Sequence, residues 1–293
     1  MMRRWQALVL SLLAVPLVAV GSGNAAGERT SHGGRGGGAL YFAVSCGFSH
    51  RNQDDPIVYP RQAGRSHDHT FFANTSTDAA STPASLRRAG TTCNIRFDTA
   101  AYWVPTLFVN GDPVRPTGMT AYYVRRTVDS VRAFPPGLKM IAGNHEARSP
   151  QSRQVTAWSC GSLRETFSSV PTCSDVGGLG GLFEKLGRAF GGRLDGRFGG
   201  LQLLINFPSC WNGRDLDSAN HKSHMAYATD GVCPSSHPVE VPGILLAIRY
   251  PVAGGPNAEL ASGGQFSGHG DFVNSWNQQA LQTLVNRYLN RFG

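Results

Sequence analysis

Lysine is nearly missing from this 293-residue chain: Lys139, Lys185 and Lys222 are the only three, although Lys and Arg together number 27. There is no basic block with interleaved aromatics, so nucleic acid is excluded as a partner on this pattern. Charged residues make up only 16% against 41% hydrophobic, which argues against a disordered chain. No Cys-x-x-Cys pair occurs, which disfavours a zinc ribbon. The sequence has no Gly-x-Ser-x-Gly elbow and no His-Glu-x-x-His, which counts against esterases and zincin proteases. None of the glycine-rich stretches runs into Gly-Lys-Ser/Thr, so a phosphate loop is absent.

What is present begins with a leader. Met1 to Gln6 is short and basic, Ala7 to Val20 is apolar, and Gly21 to Ala26 supplies small residues, the order of a secretory signal over 1–26. Its apolar run is shorter than the roughly 20 residues that cross a bilayer, and nothing later is long and apolar enough to span. A Gly-rich linker over 27–38 and a single domain over 39–293 are expected, with a Gly-rich insertion at about 175–200. Six cysteines behind a signal point to an extracellular, disulfide-bonded protein. Fifteen pairings of Cys46, Cys93, Cys160, Cys173, Cys210 and Cys233 are open; Cys160–Cys173 and Cys210–Cys233 close short loops and would leave Cys46–Cys93. A formal charge of +8 suits attraction to acidic polysaccharide or cell wall, or only a solvated surface.

Short runs rich in β-formers, separated by Gly and Pro, predict a mainly β fold: a β-sandwich, jelly-roll-like, with a few short helices. Residues 39–44, 57–59, 138–142, 155–158, 201–207 and 244–250 are expected as strands, and 101–124 as a hairpin around Asn110-Gly111. A short helix from Ser81 to about Ala89 and an amphipathic C-terminal helix, with Leu281, Leu284, Val285, Tyr288 and Leu289 on one face, complete the expectation.

The candidate chemistry lies in histidines. His67 and His69 stand two apart in an expected strand, so their rings face one way and Asp68 the other. Imidazole can bind a metal or pass a proton near neutral pH. His224, Asp217 and Asp271 complete the candidate catalytic set with His67 and His69, and Trp103, Trp211, His221 and His269 are candidate substrate contacts. His67, His69 and His224 are the candidate ligands of a divalent metal, copper or zinc. The bland alternatives are rings that satisfy backbone groups, an Asp271 that caps the last helix, and tryptophans that are core. His237, His50 and His145 lie in loops outside this set. Three functions compete: a carbohydrate-active enzyme, hydrolase or lyase, with a His/Asp-lined cleft; a metal-binding protein; and a non-catalytic polysaccharide-binding module.

The runs DDPIV (54–58), SHDHTFFANTST (66–77), YWVPTLFVNG (102–111), FPPGLKMIAGN (134–144), FPSCWNG (207–213), LDSANHKSHMAY (216–227), CPSSHPVEVP (233–242) and HGDFVNSW (269–276) occur in this order. In them the chain resembles the domain-of-unknown-function family numbered nineteen-ninety-six, found in fungi and actinobacteria. That resemblance implies a secreted, disulfide-containing protein and no established activity. Tyr227-Ala228 departs from the Tyr-Pro of that pattern.

Overall fold

A computed structural model of the chain describes residues 40–173 and 200–291. The expected signal peptide and linker, and all but the last residue of the expected Gly-rich insertion, lie outside the described residues.

Strands from distant parts of the chain build two five-stranded antiparallel sheets. The first runs β1 (Tyr41–Cys46), β7 (Gly118–Val124), β14 (Gly243–Arg249), β10 (Gln202–Asn206) and β9 (Thr156–Ser159). The second runs β2 (Phe48–Asn52), β3 (His69–Ala73), β4 (Ala101–Pro105), β16 (His269–Val273) and β8 (Lys139–Gly143). In each sheet the strand formed last in the chain, β14 or β16, lies between strands formed earlier. Apolar residues alternate to one side, so Val44, Tyr123, Leu203 and Ile244 of the first sheet share one buried core with Phe72, Tyr102, Met140 and Phe272 of the second. The fold is mainly β, two sheets packed face to face.

Two small sheets decorate this body: β15 (Ala258–Leu260), β5 (Leu107–Val109) and β6 (Asp112–Pro113); and β12 (Met225–Ala226), β11 (Cys210–Trp211) and β13 (Val239–Glu240). They correct the expected 101–124 hairpin. Asn110, at φ 53°, and Gly111, at φ 85°, turn only β5 back on β6, while β4 joins the second sheet and β7 the first. The apolar run was continuous because both halves are buried, which hides the break at Thr106. Residues 57–59 form turns rather than a strand, because the Asp55 carboxylate binds the Ile57 and Val58 amides.

The short helix is Pro83–Leu86, capped by Thr82 rather than Ser81. The C-terminal helix Gln278–Leu284 starts at Asn277, whose side chain accepts from Ala280 N–H, and continues as a π-helical turn over Val285–Leu289. Leu281, Val285 and Leu289 are its buried stripe. Cys46–Cys93, Cys160–Cys173 and Cys210–Cys233 are bonded, so all three expected pairings are present. No helix among the described residues is long and apolar enough to cross a membrane.

Candidate functional site

The second sheet buries both of its faces, with different contents. On β16, Gly270 and Phe272 turn inward, where Gly270 lies against Ile205 and Phe207, and His269, Asp271 and Val273 turn outward. Register places Asp271 beside Trp103 of β4 and Ile141 of β8, and Trp103 beside Phe71 of β3. Ile57, from the turn that Asp55 organises, and Leu86, from the short helix, cover Phe71, Ala101, Trp103 and Val273. This cover shuts polar groups in with apolar ones: Asp55, His69, His269 and Asp271 are all buried.

Three imidazoles converge at one end of that face. The Nε2 atoms of His67 and His269 are 3.2 Å apart, and those of His69 and His269 3.5 Å. Their opposite nitrogens are fixed. His69 Nδ1–H donates to the Asp54 carbonyl at 3.0 Å and His269 Nδ1–H to the Ser267 carbonyl at 2.9 Å. A carbonyl only accepts, so each Nδ1 carries the proton and the two neutral rings aim Nε2 lone pairs at each other. Burial, then repulsion from the other rings, pushes His269 down to about 3 and His69 well below the usual histidine value. Burial and the neighbouring His145 lower His67 to about 4. The rings therefore stay neutral and available as ligands. β3 begins only at His69, yet His67 still turns its ring to the same side, 4.2 Å from that of His69 between centroids. The His145 ring stands 5.9 Å from that of His269 and lies at the edge of the group.

Asp271 adjoins the rings. Its Oδ2 lies 3.8 Å from His269 Nε2, it is 1% exposed, and neither carboxylate oxygen has a hydrogen-bond partner among the described residues. Asp55, His69 and Asp271 bring one ligand atom each within 4.8 Å of one another. Burial, then the Asp55 charge, pushes Asp271 well above the ordinary carboxylate range, and Lys222 works against the rise. Burial also raises Asp55, opposed by the Val58 and Ile57 amides and by His221 and Trp103. Two carboxylates so placed do not both ionise without a cation between or beside them.

A second polar group lies over β8. Asp217 accepts from His221 Nδ1 at 2.8 Å and from Lys139 Nζ at 3.0 Å. Partial burial pushes its pKa up, but the hydrogen bonds and charges of His221 and Lys139 prevail and hold it below the usual carboxylate range. Such a carboxylate orients the imidazole and leaves Nε2 pointing away from it. His221 has φ 57°, a left-handed conformation that costs a non-glycine residue roughly 1–2 kcal/mol.

The remaining expected residues separate from this group. His224, the expected third ligand, is fully buried with both nitrogens engaged, by Ser218 Oγ at 2.9 Å and the Lys139 carbonyl at 2.7 Å. It pins the 217–224 loop to β8, and His269 takes the third place among the rings. Trp103 is fully buried and offers no face to a sugar. Trp211 donates Nε1–H to the Asp215 carbonyl at 2.6 Å and braces its loop, remaining partly exposed. His50 is tied to Ser49 Oγ and the Thr77 carbonyl and stacks on Phe71, while His237 is tied to Ser236 Oγ and the Ser223 carbonyl. Sequence reasoning missed Asp55, because Asp54-Asp55-Pro56 reads as a turn. It also passed over Lys139 and Lys222, although their rarity was a usable signal.

No curated protein and no solved structure matches the chain. The family model described as domain of unknown function (DUF1996) matches residues 55–276, a span holding the three converging histidines and Asp55, Asp217 and Asp271, and the chain belongs to that family.

Proposed function

We propose that the domain holds one divalent transition-metal ion on His67, His69 and His269, with Asp271 beside it as the fourth ligand, and uses it outside the cell in a hydrolase or lyase reaction on polysaccharide. One observation carries the metal. The Nε2 separations of 3.2 and 3.5 Å bracket the spacing of about 3.3–3.4 Å for two nitrogens bound tetrahedrally at roughly 2.0–2.1 Å. The carbonyl partners of His69 and His269 Nδ1 are the outer hydrogen bonds that orient ligating imidazoles. The uncompensated Asp271 carboxylate supplies the charge that a cation answers. Imidazole ligands suit zinc and copper.

Bound there, the ion would act as a Lewis acid or lower the pKa of a bound water. His221, oriented by Asp217, is the residue suited to move a proton at Nε2. Three disulfides and the N-terminal leader support an extracellular setting. Polysaccharide is supported by an open groove next to β8, where Met225, Val155 and the Tyr227 ring form an apolar wall of the kind on which sugar C–H faces pack.

The test begins with untagged protein, dialysed with zinc or copper and analysed for bound metal. Near one equivalent is expected, falling to background in His269→Ala and retained in His224→Gln. Equal metal retention by His269→Ala and wild type would sink the assignment. Release of oligosaccharide from cell-wall and acidic polysaccharides, lost with the metal, would complete it.

A further inference from the structure

We propose that the groove beside the histidines is a binding subsite for a sugar carrying a carboxylate, a hexuronate unit, with Lys222 as its anion partner; this rests on the polysaccharide reading above and narrows it. The groove holds about 280 Å³ and is lined by Ile141, Val155, Pro208, Met225 and Tyr227 on the apolar side. That is near the lower end of small-ligand sites, which start at roughly 300 Å³, and suits one ring rather than a long stretch of polymer.

Most of the polar groups on its rim are already used. Gln151 donates Nε2–H to the Asn144, Phe266 and Gly268 carbonyls and accepts from the Asn144 amide. Tyr227 O–H donates to the Asn206 carbonyl, so the residue presents its ring rather than its hydroxyl. Ser152 Oγ accepts from the Gln154 amide. Lys222 is different. Its ammonium donates one N–H to the Gly143 carbonyl at 2.6 Å, which leaves donors for a ligand, and it is the only charged group among the lining residues. Among the described residues no carboxylate lines the groove to neutralise it.

The backbone is built around this contact. Gly143 has φ 83°, and a Cβ there would meet the Gly268 carbonyl oxygen at 2.4 Å, so only glycine brings that carbonyl to Lys222. Gly143 pairs with His269 across β8 and β16, which sets the groove's cationic end next to the ring cluster. The Lys222 charge reaches that cluster, working against the raised Asp271 and adding to the lowering of His269. An apolar wall and a single cation fit a ring with a C–H face and one anionic substituent, and a neutral sugar would leave the ammonium unanswered. Lys222 is also one of only three lysines in a chain whose basic residues are otherwise arginine.

The experiment is calorimetric titration of the full chain, as purified and metal-loaded, with trigalacturonate and with its methyl ester, which keeps the rings and removes the charge. We expect the acid to bind at least tenfold tighter than the ester, the difference to shrink in high salt, and Lys222→Gln to abolish it. Lys222→Arg should retain part of it. Should Lys222→Gln fold poorly by circular dichroism, the acid–ester comparison and its salt dependence on wild type decide alone. Equal affinity for acid and ester overturns the subsite while leaving a sugar-binding groove. Binding of neither overturns the subsite and the polysaccharide reading together, and metal content, measured on the same samples, reports separately on the ion.

Discussion

On the inner side of the second sheet the Asp98 carboxylate accepts from the Ala100 amide at 3.0 Å and the Tyr102 hydroxyl at 2.8 Å, and Tyr102 meets Tyr123 at 2.5 Å, which in turn accepts from Trp276 Nε1–H at 2.9 Å. On the outer side Asp271, equally buried, accepts no hydrogen bond from the described residues. Both carboxyls are raised by burial, Asp98 to about 8 and Asp271 well above its usual value. The difference lies in satisfaction. A buried polar chain in which every group has a partner locks two sheets into one arrangement and asks for nothing more. A buried carboxylate with no partner, next to three neutral rings, is the unsatisfied group on which the proposed metal site rests.

The comparison breaks or sharpens under mutation. The largest effect belongs to the inner chain: Tyr102→Phe strands the Asp98 carboxylate and should cost about 2–4 kcal/mol in urea unfolding. In metal-free protein Asp271→Asn should cost nothing or gain about 1 kcal/mol, since it removes an unanswered buried acid. The reverse order would show that the two aspartates were read the wrong way round.

Next comes the response to metal. A free zinc or copper concentration of about 100 times Kd should stabilise wild type by about 2.7 kcal/mol in the same assay. His269→Ala should lose that increment, whereas Tyr102→Phe, though less stable, should keep it. An increment that survives in His269→Ala would place the ion elsewhere.

A smaller effect is the pH slope. Folded Asp98 holds its proton up to about 8, while the unfolded residue releases it near the ordinary aspartate value of 3.8. Between those values the folded state binds more protons, so this residue's contribution to stability is full below about 4 and falls as pH rises towards 8. Asp98→Asn should flatten that part of the profile when unfolding is measured at stepped pH. An unchanged slope would mean that the outer acids, Asp55 and Asp271, carry it all. The smallest effect is at His221, where His221→Gly should relieve the left-handed backbone and change stability by no more than about 1 kcal/mol. A loss of several kcal/mol there would make the Asp217–His221–Lys139 group a structural staple instead of a proton-transfer pair.

Much of the fold was legible because it depends on local pattern. Runs rich in β-formers or continuously apolar identified most of the sheet strands, and of the expected helix face 281, 284, 285, 288, 289 the positions 281, 285 and 289 are buried while Tyr288 is exposed. Short loop lengths favoured two of the three disulfides, and the third followed. The 101–109 run misled, since two strands buried in different sheets look like one apolar stretch. At the site, His67 and His69 were legible as a pair facing one way. His269 was legible only as a contact, and His224 was expected in the ring cluster that His269 in fact joins, because neither carries a local mark of which strand it will face. The His-Gly-Asp of β16 becomes chemical only when register sets it beside β4 and β8.

The sequence by itself determined a mainly β, disulfide-bonded protein of its family, because alternation, cysteine number and ordered motifs act over a few residues at a time. The tertiary structure decided which histidines meet. His67 and His269 are 202 positions apart, and their 3.2 Å approach depends on the last strand of the second sheet inserting between two earlier ones. The same insertion buried Asp271 without a partner, since long-range pairing sets register, and register sets which side chain stands next to which.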